Sequence, residues 1–246
     1  MRKVLDDVRE HGAGRNYLIQ HSAGSGKSNS IAWMAYRLAS VHGADDRPVF
    51  DSVIVVTNRI VLDSQLQDAI TSFDRQPGLV ETINQGKRSR DLASAVNDRK
   101  RIIICTVQKF LFAWKDMEQY RGRRFAVMID EAHQGENGKT AAALRRALID
   151  IGVAVSRYAD EEGVEESEVD LTEAYISAVI AQGKQENQSF FAFTAMPSKE
   201  ALEKFGTIVG YAPDGKAIRE PFHVYSMRQA IEEGFSLDVL ENYVTI

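Results

Sequence analysis

The densest chemistry in the chain lies in one short stretch, Gln20-His21-Ser22-Ala23-Gly24-Ser25-Gly26-Lys27-Ser28. It follows the apolar run Tyr17-Leu18-Ile19 and precedes Ile31-Ala32-Trp33-Met34-Ala35-Tyr36-Arg37-Leu38, which read as a buried strand and a helix. Glycines permit positive φ and let several backbone N–H groups converge on one anion. The start of the following helix adds the positive end of its dipole. An ammonium at Lys27 reaches the terminal phosphates of a nucleotide, and the Ser28 hydroxyl suits a Mg²⁺ ligand. Strand, glycine turn, lysine, hydroxyl and helix together have the layout of a phosphate-binding P-loop. Its expected nucleotide contacts are Ala23, Gly24, Ser25, Gly26, Lys27 and Ser28. The full pattern, G-x-x-x-x-G-K-[ST], has glycine where His21 stands.

A second cluster ends an apolar strand: Phe125-Ala126-Val127-Met128-Ile129 runs directly into Asp130-Glu131-Ala132-His133. Beside a P-loop, Asp130 would hold the water shell of a Mg²⁺, and Glu131 would orient and deprotonate the attacking water. His133 is close enough in sequence to sense the γ-phosphate. The alternative is that the two acids only cap the helix that follows. A third segment, Thr194-Ala195-Met196-Pro197, closes the late strand Ser189 to Thr194.

These segments need a scaffold that brings distant strand ends together. Asp51 to Thr57 and Arg101 to Thr106 are strands with almost no polar alternation, as expected for a sheet buried on both faces. Helical segments lie between them, for example up to about Phe73 and around Ala93 to Val96. Strands alternating with helices predict a doubly wound α/β fold, mostly parallel, with ligands at the carboxyl ends of the strands. All three loaded segments follow strand ends, an independent reason to group them in one site. Residues 152–188 break the rhythm, and 160–170 hold seven acids and no base, which predicts a solvated loop. After Phe205 a turn-rich connection through Pro213-Asp214-Gly215 leads to a helix over Met227 to Glu233.

The chain has 246 residues, 44% hydrophobic and 26% charged, with a net charge of −5. Without the seven acids of 160–170, 30 bases face 28 acids, so the net charge does not speak against a nucleic-acid partner. The single cysteine, Cys105, excludes a disulfide framework and lies in an apolar run, where it reads as a small core hydrophobe. The five histidines offer no i, i+4 ligand pair. No apolar run approaches the ~18 residues of a membrane helix, and the N-terminus has no signal-peptide core. A cytoplasmic protein without a membrane partner is expected. The basic residues Lys87, Arg88, Arg90, Arg99, Lys100 and Arg101 read either as part of a nucleic-acid track or as a solvated face. Trp33 and Trp114 read as core.

Gly24-Ser25-Gly26-Lys27-Ser28, Asp130-Glu131-Ala132-His133 and Thr194-Ala195-Met196-Pro197 resemble motifs I, II (a DEAH box) and III of superfamily-two helicases and translocases. The third has Met196 where T-A-T-P is usual. Within that superfamily the chain most resembles the R (motor and restriction) subunit of type I restriction enzymes. Segments carrying this are Ile19 to Ser28, Val55 to Leu66, Thr106 to Phe110, and Tyr225-Ser226-Met227-Arg228-Gln229-Ala230-Ile231-Glu232-Glu233-Gly234-Phe235. In that family His21 is a normal occupant of its position, and Asp is usual where Asn58 stands. Another superfamily-two motor, such as a DNA helicase or a type III restriction subunit, is the alternative.

The resemblance implies a RecA-like P-loop NTPase domain, the first of two in a DNA translocase. Residues 1–221 would be that domain, with its acidic insertion near 152–188, and 222–246 the linker toward a second motor domain. ATP and Mg²⁺ are the implied cofactors, with catalytic roles at Lys27, Asp130, Glu131 and His133 and metal contacts at Ser28 and Asp130. Thr194 and Ala195 would couple nucleotide state to movement. Arg59, Thr106, Gln108 and Lys109 would hold the backbone phosphates of double-stranded DNA, although helix-start polarity would equally place such residues there. Phosphate contact without base readout suits translocation, because each step is then equivalent. The implied partners are the methyltransferase and specificity subunits of a restriction-modification complex. In the family, the nuclease and second motor domains belong to the same parent chain, and an arginine finger from the second motor domain completes the ATP site. No E-x-K nuclease signature occurs here, so the chain is expected to be a piece of a longer one, binding nucleotide weakly and hydrolysing little alone.

Overall fold

A computed structural model describes residues 1–22, 25–57, 64–72, 78–83, 87, 89–106, 110, 122–130 and 186–234. The elements begin with α1 (Arg2–His11), β1 (Tyr17–His21), α2 (Lys27–Ala39), β2 (Ser52–Thr57), α3 (Ser64–Ser72), β3 (Val80–Ile83) and α4 (Ser89–Asn97). They continue with β4 (Ile102–Thr106), β5 (Phe125–Ile129), β6 (Gln188–Thr194) and α5 (Lys199–Phe205). The last are β7 (Thr207–Tyr211), β8 (Ala217–Glu220), β9 (His223–Tyr225) and α6 (Met227–Glu232).

Among the described residues, seven strands form one sheet in the order β3-β4-β2-β5-β6-β1-β9. Every pairing in it is parallel, so all seven carboxyl ends lie on one edge. The composition of the strands explains their rank. β2, β4 and β5 are rich in β-branched and large apolar residues and are buried throughout. β3 and β9, the edge strands, are short and partly exposed. The doubly wound fold follows from how side chains alternate across the strands. Phe125, Val127 and Ile129 point to the face that packs α4 and α5, through Leu92, Val96, Ala201 and Phe205. Ala126 and Met128 point to the other face, covered by α1, α2 and α3 through Val4, Val8, Ile31, Leu38, Leu66 and Ile70. Cys105 is fully buried in the first of these cores, as the apolar run around it predicts.

Three features differ from the sequence reading. Helix α5 begins at Ser198, whose hydroxyl caps it by accepting from the Ala201 N–H at 3.1 Å. The turn at Pro213-Asp214-Gly215 closes a two-stranded antiparallel hairpin, β7-β8; Gly210 and the exposed apolar residues around it conceal the strand signal. β9, which the sequence reading does not assign as a strand, adds to the parallel sheet beside β1. No helix of the described residues is long and apolar enough to cross a membrane.

Among the described basic residues between 87 and 101, Lys87 and Lys100 meet at one carboxylate, while Arg101 turns to backbone carbonyls. Lys87 lies beyond the carboxyl end of β3 and pairs with Glu81. Lys100 and Arg101 precede β4, and the Lys100 ammonium reaches the same carboxylate, 3.6 Å from Glu81 Oε2. Arg101 donates to the carbonyls of Phe50 (3.3 Å), Asp51 (3.1 Å) and Ala39, so it ties two loops to the sheet. Trp33 is partly buried against the core, with the Arg37 guanidinium 5.7 Å from its ring centroid. Trp114 and the acidic run 160–170 lie outside the described residues.

Candidate nucleotide site

The site is built at the carboxyl edge, around three adjacent strands. β6 lies between β5 and β1, with Ile129 level with Ala192 and Gln20 level with Thr194. The chain therefore leaves β1 toward Ser25–Ser28, leaves β5 at Asp130 and leaves β6 at Ala195, all side by side.

Gly26 precedes α2 with φ +74°, in the left-handed region. A Cβ there would meet nothing within 4 Å, so backbone conformation and not space requires glycine. Gly26 offers α2 no side-chain cap, and the first turn of the helix holds no acid. A helix start of this composition suits an anion. Lys27 opens this helix and Ser28 follows. The Lys27 Nζ lies 3.1 Å from Asp130 Oδ1, with the two side chains only 16% and 12% exposed. The Asp130 N–H donates to the Val56 carbonyl at 3.1 Å, which fixes the carboxylate to the sheet. An ammonium, a hydroxyl, a hard carboxylate and such a helix start fit a Mg²⁺–nucleotide: the donors match both the polyphosphate and the metal.

Gln20 Nε2 donates to the Ala195 carbonyl at 3.4 Å, linking the P-loop strand to the third motif. Thr194 is fully buried. Its hydroxyl donates to the Met196 carbonyl at 3.0 Å and accepts from the Met196 N–H at 3.2 Å, closing the turn. Met196 itself is 76% exposed.

Thus Ser25, Gly26, Lys27, Ser28, Asp130, Thr194 and Ala195 are gathered on one edge. Thr106 ends β4 on that edge, two strands from β5, but it is only 4% exposed. It lies level with Thr57 of β2. Ala23, Gly24, Arg59, Gln108, Lys109, Glu131 and His133 lie outside the described residues.

The motif spacing did not reveal the surroundings of His21, which is 3% exposed. Its Nδ1 contacts the Ser25 hydroxyl and its Nε2 lies 2.9 Å from the Ser30 hydroxyl. Its ring stacks on Tyr225, with centroids 4.7 Å apart. Burial is the main cause that lowers its pKa to about 4, reinforced by His223, Lys27 and the amino terminus. The unfolded chain takes up this proton as pH falls through about 6.5, whereas the fold resists it until about 4. Stability is therefore whole above pH 6.5 and falls between 6.5 and 4, by about 3 kcal/mol if His21 alone contributes. Urea unfolding at pH 7, 5.5 and 4 measures this, and a His21→Gln variant should flatten the dependence.

The sequence matches the family model described as SWI2/SNF2 ATPase over residues 1–153, which is more than half of the chain. The chain belongs to the SWI2/SNF2 ATPase family. The matched region includes both the P-loop motif and Asp130-Glu131-Ala132-His133. Among solved structures, it is similar to the UvsW helicase from bacteriophage T4, with 13% identity and a TM-score of 0.40 over 81% of this chain. It is also similar to the Hef helicase domain of Pyrococcus furiosus, with 12% identity and a TM-score of 0.41 over 83% of this chain. The chain spans 62% of the first and 34% of the second. No curated protein matches its sequence.

Proposed function

We propose that this chain is the first motor domain of an ATP-driven double-stranded DNA translocase, of the kind found in the R subunit of type I restriction enzymes. The observation that carries the motor reading is the Lys27–Asp130 contact at 3.1 Å, made across β6 at the foot of α2. In this reading Lys27 holds the terminal phosphates, Ser28 and Asp130 hold Mg²⁺, and Glu131 positions and deprotonates the attacking water, with His133 beside it. When bound, the Mg²⁺–nucleotide supplies the phosphoryl bond whose cleavage drives movement. Gln20 and the Thr194–Ala195 turn lie between the two halves of the site, where a change at the phosphate is passed to the sheet edge.

For DNA, the reading relies on Arg59, Gln108 and Lys109. The chain leaves β2 at Thr57 and β4 at Thr106 on the same edge as Lys27, just before these residues. Contacts of this kind neutralise backbone phosphates and leave base edges unread. The type I assignment rests on the segments from Val55 to Leu66 and from Tyr225 to Phe235. It implies methyltransferase and specificity subunits as partners.

In the complete subunit, Glu131→Gln should leave ATP binding within about twofold and reduce hydrolysis by about 10²-fold or more, the range for loss of a general base. Unchanged hydrolysis would remove Glu131 from its role. Displacement of a triplex strand without unwinding of the duplex distinguishes the translocase from a helicase of the same superfamily.

A further inference from the structure

The motif Tyr225 to Phe235 has no part in the chemistry above, yet its first residue touches the P-loop. β9 lies beside β1 with His21 level with Tyr225. The Ser22 N–H donates to the Tyr225 carbonyl at 3.1 Å, extending the ladder into the start of the loop. The Tyr225 ring stacks on His21 at 4.7 Å with an interplanar angle of 26°. The Tyr225 hydroxyl donates to Glu233 Oε2 at 2.6 Å, and Gln229 Nε2 donates to the other oxygen of that carboxylate at 3.0 Å. The ring is therefore held by the far end of α6.

The hydrogen bonds around His21 fix its tautomer. The Ser25 hydroxyl donates to the Ser22 carbonyl, so toward His21 it can only accept. Nδ1 must then carry the proton. A neutral imidazole has one donor and one acceptor, so Nε2 accepts from the Ser30 hydroxyl at 2.9 Å. The donors run in one direction: Ser30 to His21, His21 to Ser25, Ser25 to the Ser22 carbonyl. This chain joins the entry of the loop, its middle and the first turn of α2. A protonated ring would lose its acceptor and break the link to Ser30. The charged or titratable groups near the ring are His223 and Tyr225 on β9, Lys27 on α2 and the amino terminus; His223, Lys27 and the amino terminus oppose a second proton.

We propose that His21 and Tyr225 are a positioning pair for the phosphate-binding loop: the Nδ1–H imidazole fastens Ser25 to Ser30, and the Tyr225 ring and carbonyl hold that imidazole from β9. Neither residue touches the reacting atoms. The Tyr225 ring and carbonyl thereby brace His21 and Ser22, at the entry of the loop, from β9. The proposal rests on reading this loop as the nucleotide site.

The test is binding of a fluorescent ATP analogue with Mg²⁺ to the 246-residue chain, with the His21 ring nitrogens observed by NMR. His21→Phe keeps the stack and removes both hydrogen bonds; it should weaken binding about tenfold. His21→Gln, which restores a donor and an acceptor, should bind within about threefold of the parent. Tyr225→Phe should bind like the parent and Tyr225→Ala about threefold more weakly. In the parent chain the protonated nitrogen should be Nδ1 at pH 7. An Nε2–H ring overturns the proposal whether or not any variant folds. So does unchanged binding in His21→Phe while Lys27→Ala loses it. If Lys27→Ala also binds like the parent, the nucleotide-site reading fails as well, which separates the two failures.

Discussion

Replacing Lys27 with alanine is expected to weaken Mg²⁺–ATP binding by about 10- to 100-fold. A charge-assisted hydrogen bond of about 1.5–3 kcal/mol is lost, and about 1.4 kcal/mol corresponds to each factor of ten. Isothermal calorimetry on the 246-residue chain measures it. The variant carries a second consequence that a simple surface lysine would not. Lys27 and Asp130 are 3.1 Å apart and mostly buried, so removal of the ammonium leaves a carboxylate in a site that solvates it poorly. Breaking such a pair costs about 3 kcal/mol of stability. Adding Asp130→Asn to Lys27→Ala removes the surplus charge, so part of that stability should return while binding stays weak. Binding that survives Lys27→Ala would place the phosphates elsewhere.

Phe191→Ala is expected to cost about 3–5 kcal/mol, the range for emptying a fully buried aromatic position. Phe191 lies in β6, between the strands that carry Lys27 and Asp130 toward the edge. It is fully buried, stacked on Tyr17 with centroids 4.9 Å apart and in edge contact with Phe50 at 6.2 Å. Few methylenes can relax into that space, because β1, β5 and β6 are buried almost throughout. Against a typical domain stability of about 5–15 kcal/mol, the loss is a large fraction. The urea midpoint should fall with little change in slope, since the surface exposed on unfolding is nearly the same. Phe191→Leu, which keeps most of the volume, should cost about 1–2 kcal/mol. A near-neutral Phe191→Ala would contradict the packing described for this layer.

The sheet was legible because its strands carry their own evidence. Val53 to Val56 and Ile102 to Ile104 are apolar on both faces, and only a covered parallel sheet accommodates that pattern. The P-loop was legible because glycine, lysine and hydroxyl at fixed spacing dictate a local backbone shape that needs no distant partner. Elements whose identity depends on partners were not legible. β9 is three residues long and becomes a strand only because β1 offers it an edge. Thr106 stands at a strand end in the sequence, but its burial level with Thr57 is set by β2.

By itself, then, the sequence determined the alternation of strand and helix, the glycine turn before α2 and the acids that follow β5, because each is written in contiguous residues. Tertiary structure alone decided that Asp130 reaches Lys27 across β6, that Arg101 serves the loops below the sheet, and that Tyr225 covers His21. Those contacts join residues between 50 and 204 positions apart, and strand order, which short-range pattern does not encode, is what brings them together.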